Sequence, residues 1–156
     1  MKNSVFIEKQ SFWTWWLILV FIILWSILLK DIYQNKWVID NSSYVGIGIL
    51  FPVLLFLLVV RLNTQIDEKG ISIRFLPFVR NKTWMWEEIS EVYITEYSIA
   101  DYGGWGYRIG KNGIAYNTKG KYGLQLLLKN NSRILIGTQK PEQIQEIIDT
   151  YNKSKS

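Results

Sequence analysis

The stretch that decides the architecture reads FWTWWLILVFIILWSILL and runs from Phe12 to Leu29. Its 18 residues carry no charge, and the nearest charged side chains are Lys9 before it and Lys30 after it. A helix needs roughly 20 apolar residues to cross the hydrocarbon core of a bilayer, so this stretch predicts a spanning helix with little tilt. Tryptophans cluster at its start, where indole rings suit the membrane–water interface: Trp13, Trp15 and Trp16.

A second apolar run, YVGIGILFPVLLFLLVV, covers Tyr44 to Val60 and ends just before Arg61. Its 17 residues are slightly few for a span, and its glycines and proline are tolerated in lipid because they let a neighbouring helix pack closely. Neither run has a polar face, which disfavours buried core helices. The first run is long for a signal peptide and lacks a small-residue cleavage pattern. We therefore predict a two-helix transmembrane hairpin, with helices at about 12–29 and 44–60.

Basic residues flanking the two runs predict the orientation of the hairpin. The connecting loop carries two, Lys30 and Lys36. The flanks on the other side carry six: Lys2, Lys9, Arg61, Lys69, Arg74 and Arg80. Because Lys and Arg accumulate on the cytoplasmic side, we expect a multi-pass inner-membrane protein with both termini in the cytoplasm.

The 156 residues include no cysteine and no histidine, and this excludes several kinds of chemistry. Disulfides, thiolate nucleophiles, histidine acid–base catalysis and zinc sites built on Cys or His all need residues that the chain lacks. The acidic residues do not follow the spacing of a calcium loop, and the glycines match neither dinucleotide nor phosphate-loop patterns. We expect no catalytic residues, no metal, no cofactor and no enzymatic activity, with a cryptic enzyme kept as an alternative.

From Gln65 onward the sequence changes to short strand-like segments separated by turns. Ile71, Ile73 and Phe75 alternate with other side chains after a turn formed by Asp67–Gly70. Further strands are predicted at 91–98, 114–117, 122–129 and 133–136, and a single helical turn at 87–90. A final helix begins at Pro141 and carries an apolar stripe at helical spacing: Ile144, Ile147, Ile148 and Tyr151. We assign residues 1–61 to the transmembrane helices, 65–152 to a mainly-β domain and 153–156 to a frayed tail.

Four sequence segments resemble those of a known family. They are Ile71 to Phe75 after the Asp67–Gly70 turn, Trp86-Glu87-Glu88-Ile89, Gly103 to Gly106 with Arg108, and Ile136 to Glu142 before the last helix. Together with the order of elements, they resemble the bacterial pleckstrin-homology-like (PH-like) membrane proteins. The resemblance implies a partly open barrel or sandwich of about seven strands, capped by a C-terminal helix and used as a binding platform. It implies no reaction.

The candidate binding surface is the segment from Tyr102 to Lys121, where aromatic and basic residues alternate with glycines. Its candidate ligand-binding residues are Trp105, Arg108, Lys111 and Lys119. Such residues suit anionic lipid headgroups or an acidic partner. A solvated loop with one or two rings packed on the barrel is the alternative. After residue 61 the chain has thirteen basic and ten acidic residues, an excess too small to predict nucleic-acid binding.

These features predict an integral membrane protein that presents a cytoplasmic PH-like domain as a binding or scaffolding module. Only Arg61–Thr64 would separate the second span from the first strand, and four residues reach at most about 14 Å. The domain is then held against the headgroups, where its partner is lipid or another membrane protein. The alternative is a small accessory or immunity-type membrane protein that acts through its hairpin. The sequence leaves the partner and the oligomeric state open, a homo-oligomer included.

Overall fold

A computed structural model of the chain describes residues 6–34, 41–98, 104, 106–110 and 113–155. The chain divides into two compact units. The helical unit is Phe12–Val60, and the strand unit combines Met1–Ser11 with Arg61–Ser156. The strand unit is therefore built from both sides of the helical unit in sequence.

The helical unit contains α1 (Trp15–Gln34) and α2 (Asn41–Val59). Within the described residues, α1 is the helix long and apolar enough to cross a membrane, and only 17% of its most apolar window is buried. The apolar part of α2, Ser43–Val59, is shorter. The structure thus supplies one helix of spanning length where the sequence predicted two, because α2 begins with polar residues.

The two helices contact each other near the end of α1 and the start of α2. The Ser43 hydroxyl donates a hydrogen bond of 3.2 Å to Asp31 Oδ2. A Cβ atom added at Gly46 would lie 3.0 Å from Leu28 Cδ1, whereas one at Gly48 would meet nothing within 4 Å. The close approach expected at the glycines is therefore found at Gly46 and not at Gly48. Helix α1 continues to Gln34, so the predicted loop from Lys30 is helical at its start, and residues 35–40 lie outside the described ranges.

The strand unit contains two β-sheets. The first sheet is an antiparallel meander in the order β1-β2-β3-β4, and the second has the order β5-β8-β9-β7-β6, in which β7 and β9 are parallel. The strands are β1 (Phe6–Ser11), β2 (Arg61–Ile66), β3 (Gly70–Leu76), β4 (Val79–Met85), β5 (Ile89–Glu96), β6 (Gly106–Gly110), β7 (Gly113–Asn117), β8 (Tyr122–Leu128) and β9 (Arg133–Thr138). The mainly-β prediction is confirmed, with nine strands in the described residues instead of about seven.

Strand β1 and the start of β2 correct the domain boundaries expected from the sequence. Residues 1–61 were assigned to the helices and Arg61–Thr64 to a linker, yet Phe6–Ser11 pairs with Arg61–Ile66 along its whole length. Phe6, Glu8 and Gln10 face inward and are buried, while Ile7 and Lys9 are exposed. Two of the three inward side chains are polar, so the alternation that marks a strand was hidden.

The turn between β2 and β3 has the predicted form. Asp67 and Gly70 exchange backbone hydrogen bonds of 3.0 and 3.3 Å, and Asp67 Oδ1 accepts from the backbone N–H of Lys69 at 2.9 Å. Gly70 has a φ of 154°, and a Cβ atom there would overlap the Trp84 carbonyl oxygen at 2.0 Å. Only glycine fits this position.

The core of the strand unit is mainly apolar, with a few buried polar side chains such as Glu8 and Gln10. Its most deeply buried side chains are Leu62, Ile66, Ile71, Ile73 and Phe75 from the first sheet, and Tyr116, Leu124, Leu126, Ile134, Leu135 and Ile136 from the second.

The last helix, α3 (Pro141–Lys155), packs against β5 and β8. The Thr138 hydroxyl accepts a hydrogen bond of 2.9 Å from the backbone N–H of Lys140 at its start. Ile144 and Ile148 are buried, and Tyr151 packs on Trp86 with ring centroids 5.0 Å apart, so the predicted stripe faces the sheet. The helix includes residues 153–155, which were expected to be a frayed tail. In place of the helical turn predicted at 87–90, residues 86–88 form a hydrogen-bonded turn and β5 begins at Ile89. The N–H of Glu88 donates to the Met85 carbonyl there, and Glu88 Oε2 accepts from the N–H of Met85.

Candidate functional site

The segment predicted as the binding surface forms a β-hairpin in its described part. Strand β6 pairs with β7, and Arg108 lies exposed opposite Ala115. Lys119 follows β7, and its carbonyl oxygen accepts a hydrogen bond of 2.8 Å from Gln139 Nε2. Trp105 and Lys111 lie outside the described residues. Of the four candidates, the two that can be placed lie on separate elements.

The two aromatic residues of this hairpin pack towards the first sheet, where Tyr116 is buried and Tyr107 is half-buried. Tyr107 stacks on Tyr116 with centroids 5.3 Å apart and on Phe78 at 6.2 Å. Tyr116 also contacts Phe75 and Trp84, at 6.4 and 6.0 Å. Burial, reinforced by neighbouring Tyr107, raises the pKa of Tyr116 to about 12. These rings tie the hairpin to the first sheet, so their place corresponds to the alternative interpretation, in which rings pack on the β-domain.

The outward face of the first sheet is a different surface, and it carries basic side chains without acidic neighbours among the described lining residues. It holds a groove with a volume of about 460 Å³, which we term the basic groove. Three of its side chains are cationic, Lys9, Arg74 and Arg80, and the described residues that line it include no acid. The polar side chains among them are Asn63, Thr64, Gln65, Ser72 and Asn81.

Strand register brings these cations together from distant parts of the sequence. Lys9 pairs with Asn63, and Asn63 pairs with Arg74, so the three form one row across β1, β2 and β3. Directly opposite Cβ atoms in such a row are about 5 Å apart. The pairing of β3 with β4 then shifts between Ile73 and Phe75, which leaves Arg80 and Asn81 together opposite Arg74. This bulge extends the cationic row to the edge strand.

The cations of the basic groove have no acidic partners in the described residues, where the one ion pair joins Lys121 Nζ to Glu96 Oε1 at 2.9 Å. Like charges gathered on one sheet face repel, and a surface that keeps them without counter-charges attracts anions. The basic groove can therefore bind a small anion through guanidinium, ammonium and amide donors.

Buried hydrogen bonds beneath the groove fix the strand that carries Lys9. Glu8 Oε2 accepts from the Thr138 hydroxyl at 2.7 Å, and Glu8 Oε1 accepts from the backbone N–H of Gln139 at 2.8 Å. Gln10 Nε2 donates to the Gly137 carbonyl at 2.7 Å, and Gln10 Oε1 accepts from the Thr118 hydroxyl at 2.8 Å. We call this set the β1 clasp. It joins the first sheet to the second through side chains.

The second groove lies between α3 and β5 and has the opposite charge. Its volume is about 500 Å³, and Ile94 and Pro141 line it together with Glu142, Gln145, Glu146 and Asp149. Gln145 Nε2 donates to Asp149 Oδ1 at 2.9 Å. Across the described residues there is no group of three or more Asp and Glu placed to hold a metal ion.

The basic groove was not predicted from the sequence, in which Lys9, Arg74 and Arg80 served only as indicators of membrane topology. The available signal was the alternation in 6–11 and 61–66, which places Lys9 and Asn63 outward. The bulge that adds Arg80 has no sequence signature. Comparisons of the chain with protein families, curated proteins and solved structures found no match.

Proposed function

We propose that this is an integral membrane protein that holds a PH-like β-domain at the inner membrane surface as a binding or scaffolding module. The observation that carries the proposal is the place of the apolar helices in the chain. They are inserted between β1 and β2, two neighbouring strands of one sheet. The sheet is thus connected to the apolar unit by two covalent links.

Both links are short. Phe12–Thr14 connect β1 to α1, and Val60 alone connects α2 to β2. A few extended residues reach at most about 14 Å. If α1 lies in the bilayer, the ends of β1 and β2 lie near its headgroups. Lys9 is two residues from the end of β1, so the cationic row is about 7 Å from that end of the sheet.

Some features of the strand unit agree with a PH-like fold, and others depart from it. An antiparallel four-stranded meander, a second sheet and a C-terminal helix agree with it. The β6–β7 hairpin and the parallel pairing of β7 with β9 are additions to the seven-stranded plan. We propose the PH-like plan for the meander and the helix, with the hairpin as an insertion.

The proposed topology has α2 as a second span, with the strand unit and both termini in the cytoplasm. The positive residues outside the loop support this orientation. The 17-residue apolar part of α2 suits a thin or locally thinned bilayer. Its proline, Pro52, is tolerated in a membrane helix.

The experiment is membrane fractionation followed by alkaline carbonate extraction and protease protection. The full chain should stay in the membrane pellet after extraction. A protease added outside intact spheroplasts should leave the strand unit uncut, and it should cut after the membrane is opened with detergent. Release by carbonate would refute membrane integration, while digestion of the strand unit from outside would refute the orientation alone.

A further inference from the structure

We infer that the basic groove is a binding site for a phosphate group with two negative charges, either the terminal phosphate of a lipid headgroup or inorganic phosphate. The inference deepens the proposed function, on which its lipid source rests, by naming what the domain binds. It stands on three observations on the first sheet: the cationic row, the bulge and the β1 clasp.

The bulge is the observation that points to a discrete ligand. A regular ladder would place one β4 residue opposite Arg74, whereas here Arg80 and Asn81 share that position. Arg74 and Arg80 are then neighbours across the two strands and line the same groove, without a carboxylate among the described lining residues. Guanidinium groups bind phosphate oxygens in pairs of parallel hydrogen bonds, so two of them suit a group with several equivalent oxygens.

Lys9 completes the site from the opposite side of the row. It lies across Asn63 from Arg74, and β1 cannot shift without breaking the buried hydrogen bonds of Glu8 and Gln10. Asn63 and Asn81 add amide donors between the cations. The site is therefore held by strands and not by a loop.

The charge of the site selects the class of anion. Three cations with no acid among the described lining residues match a phosphate monoester or inorganic phosphate, which carries about −1.5 to −2 at neutral pH. A phosphodiester carries a single charge and has two free oxygens. Nucleic acid fits less well, since it requires a longer basic stripe than one row across four strands.

The test uses the full chain in neutral detergent micelles, titrated calorimetrically with three soluble probes. They are inorganic phosphate, dihexanoyl phosphatidic acid and dihexanoyl phosphatidylglycerol, each lipid below its micelle concentration. Arg74→Gln and Arg80→Gln should each weaken binding of phosphate and phosphatidic acid about tenfold or more, because a charged, bidentate contact is lost. Arg74→Lys keeps the positive charge but loses the paired hydrogen bonds of the guanidinium group. Its affinity for phosphate should lie between that of the glutamine variants and that of the parent.

Arg133→Gln is the matched control. It removes the same charge as the two test substitutions, but Arg133 is exposed on β9 in the other sheet. It should bind as the parent does, and all variants should share the parent's unfolding temperature. The inference is overturned if the parent shows no saturable binding to phosphate or phosphatidic acid, if Arg133→Gln weakens binding as much as Arg74→Gln, or if phosphatidylglycerol binds as tightly as phosphatidic acid.

The three probes distinguish a lipid phosphate from a soluble one. Together with carbonate extraction, they also show which of the two proposals fails. Binding of both phosphate and phosphatidic acid supports a lipid source, whereas binding of inorganic phosphate alone supports a soluble one. A chain that carbonate releases but that still binds phosphate refutes membrane integration only. A chain that stays in the membrane and ignores all three probes refutes the phosphate site only.

Discussion

Two strand pairings in the same sheet are closed in very different ways. Strands β2 and β3 are joined by the tight turn at Asp67–Gly70. Strands β1 and β2 pair over six residues each, yet 49 residues, Phe12–Val60, lie between them. The first pairing is specified by the residues of its own turn. The second joins strands that are far apart in sequence, so it needs other interactions to stabilise it.

The difference teaches where a long-range pairing obtains its stability. For a flexible connection, each doubling of length costs about 0.6 kcal/mol, so closing a loop of this size costs about 2 kcal/mol more than a short turn. The β1–β2 ladder has the buried β1 clasp to offset that cost, with four side-chain hydrogen bonds to the second sheet. The β2–β3 pairing relies on Gly70 and Asp67.

The largest expected effect is on the locally closed pairing. Gly70→Val would place a Cβ atom on the Trp84 carbonyl oxygen in a backbone conformation that valine rarely adopts. We expect a loss of about 3 kcal/mol or more of unfolding free energy, or failure to fold. Thermal unfolding of the full chain in detergent measures it. Lys69→Val in the same turn is exposed and should change little, and similar losses for both would refute the role of Gly70.

The second expected effect is on the pairing that spans the helical unit. Glu8→Ala would leave the Thr138 hydroxyl and the Gln139 N–H without their acceptor, at a cost of about 2–3 kcal/mol. Hydrogen exchange should show the loss of protection in β1, with β2 and β3 still protected. Lys9→Ala, on the exposed side of β1, is the control. Equal loss of protection in β3 would show that the clasp stabilises the whole sheet and not β1.

A smaller effect is expected from the side chain that supports the turn. Asp67 Oδ1 accepts from the backbone N–H groups of Lys69 and Gly70 at 2.9 and 3.2 Å. Asp67→Ala should cost about 1 kcal/mol, because the exposed Lys69 N–H can bind water instead and the Gly70 N–H keeps its hydrogen bond to the backbone carbonyl of residue 67. Asp67→Asn retains an acceptor and should recover most of the loss. A cost as large as that of Gly70→Val would mean that hydrogen bonds, and not sterics, close the turn.

The smallest effect at neutral pH concerns Tyr116, which packs on Phe75 of β3 and Trp84 of β4. Its pKa is raised from 10.0 to about 12 by burial and by Tyr107, so the folded chain keeps a proton that the unfolded chain loses. The contribution of protonated Tyr116 to the free energy of unfolding is fully present below pH 10 and is lost as the pH rises towards 12. Tyr116→Phe should flatten the fall in unfolding temperature between pH 9 and 11, while exposed Tyr93→Phe should follow the parent. If the unfolding temperature of Tyr116→Phe decreases as much as that of the parent, the decrease is caused by other ionisable groups.

The same contrast explains how much the sequence could reveal. The β2–β3 turn and the stripe of α3 were predicted, since each depends on residues within a few positions of one another. Strand β1 was missed because its partner is 50 residues away and Glu8 and Gln10 occupy inward positions. Tyr116 lies in a strand that was predicted at 114–117, but the segment around it was taken as a binding surface, whereas the structure buries Tyr116 against Phe75 and Trp84. The basic groove needed the register of four strands and one bulge, which no local pattern encodes.

The pairing of Ser11 with Arg61 has a consequence for protein engineering. Facing residues in an antiparallel ladder have Cα atoms about 5 Å apart, a gap that a two-residue Asn-Gly turn closes. The apolar helices are therefore an insertion whose ends meet at one place on the host sheet. A chain that joins Ser11 to Arg61 through such a turn would keep the four-stranded meander and its row of cations, and foreign anchors could be grafted at the same point.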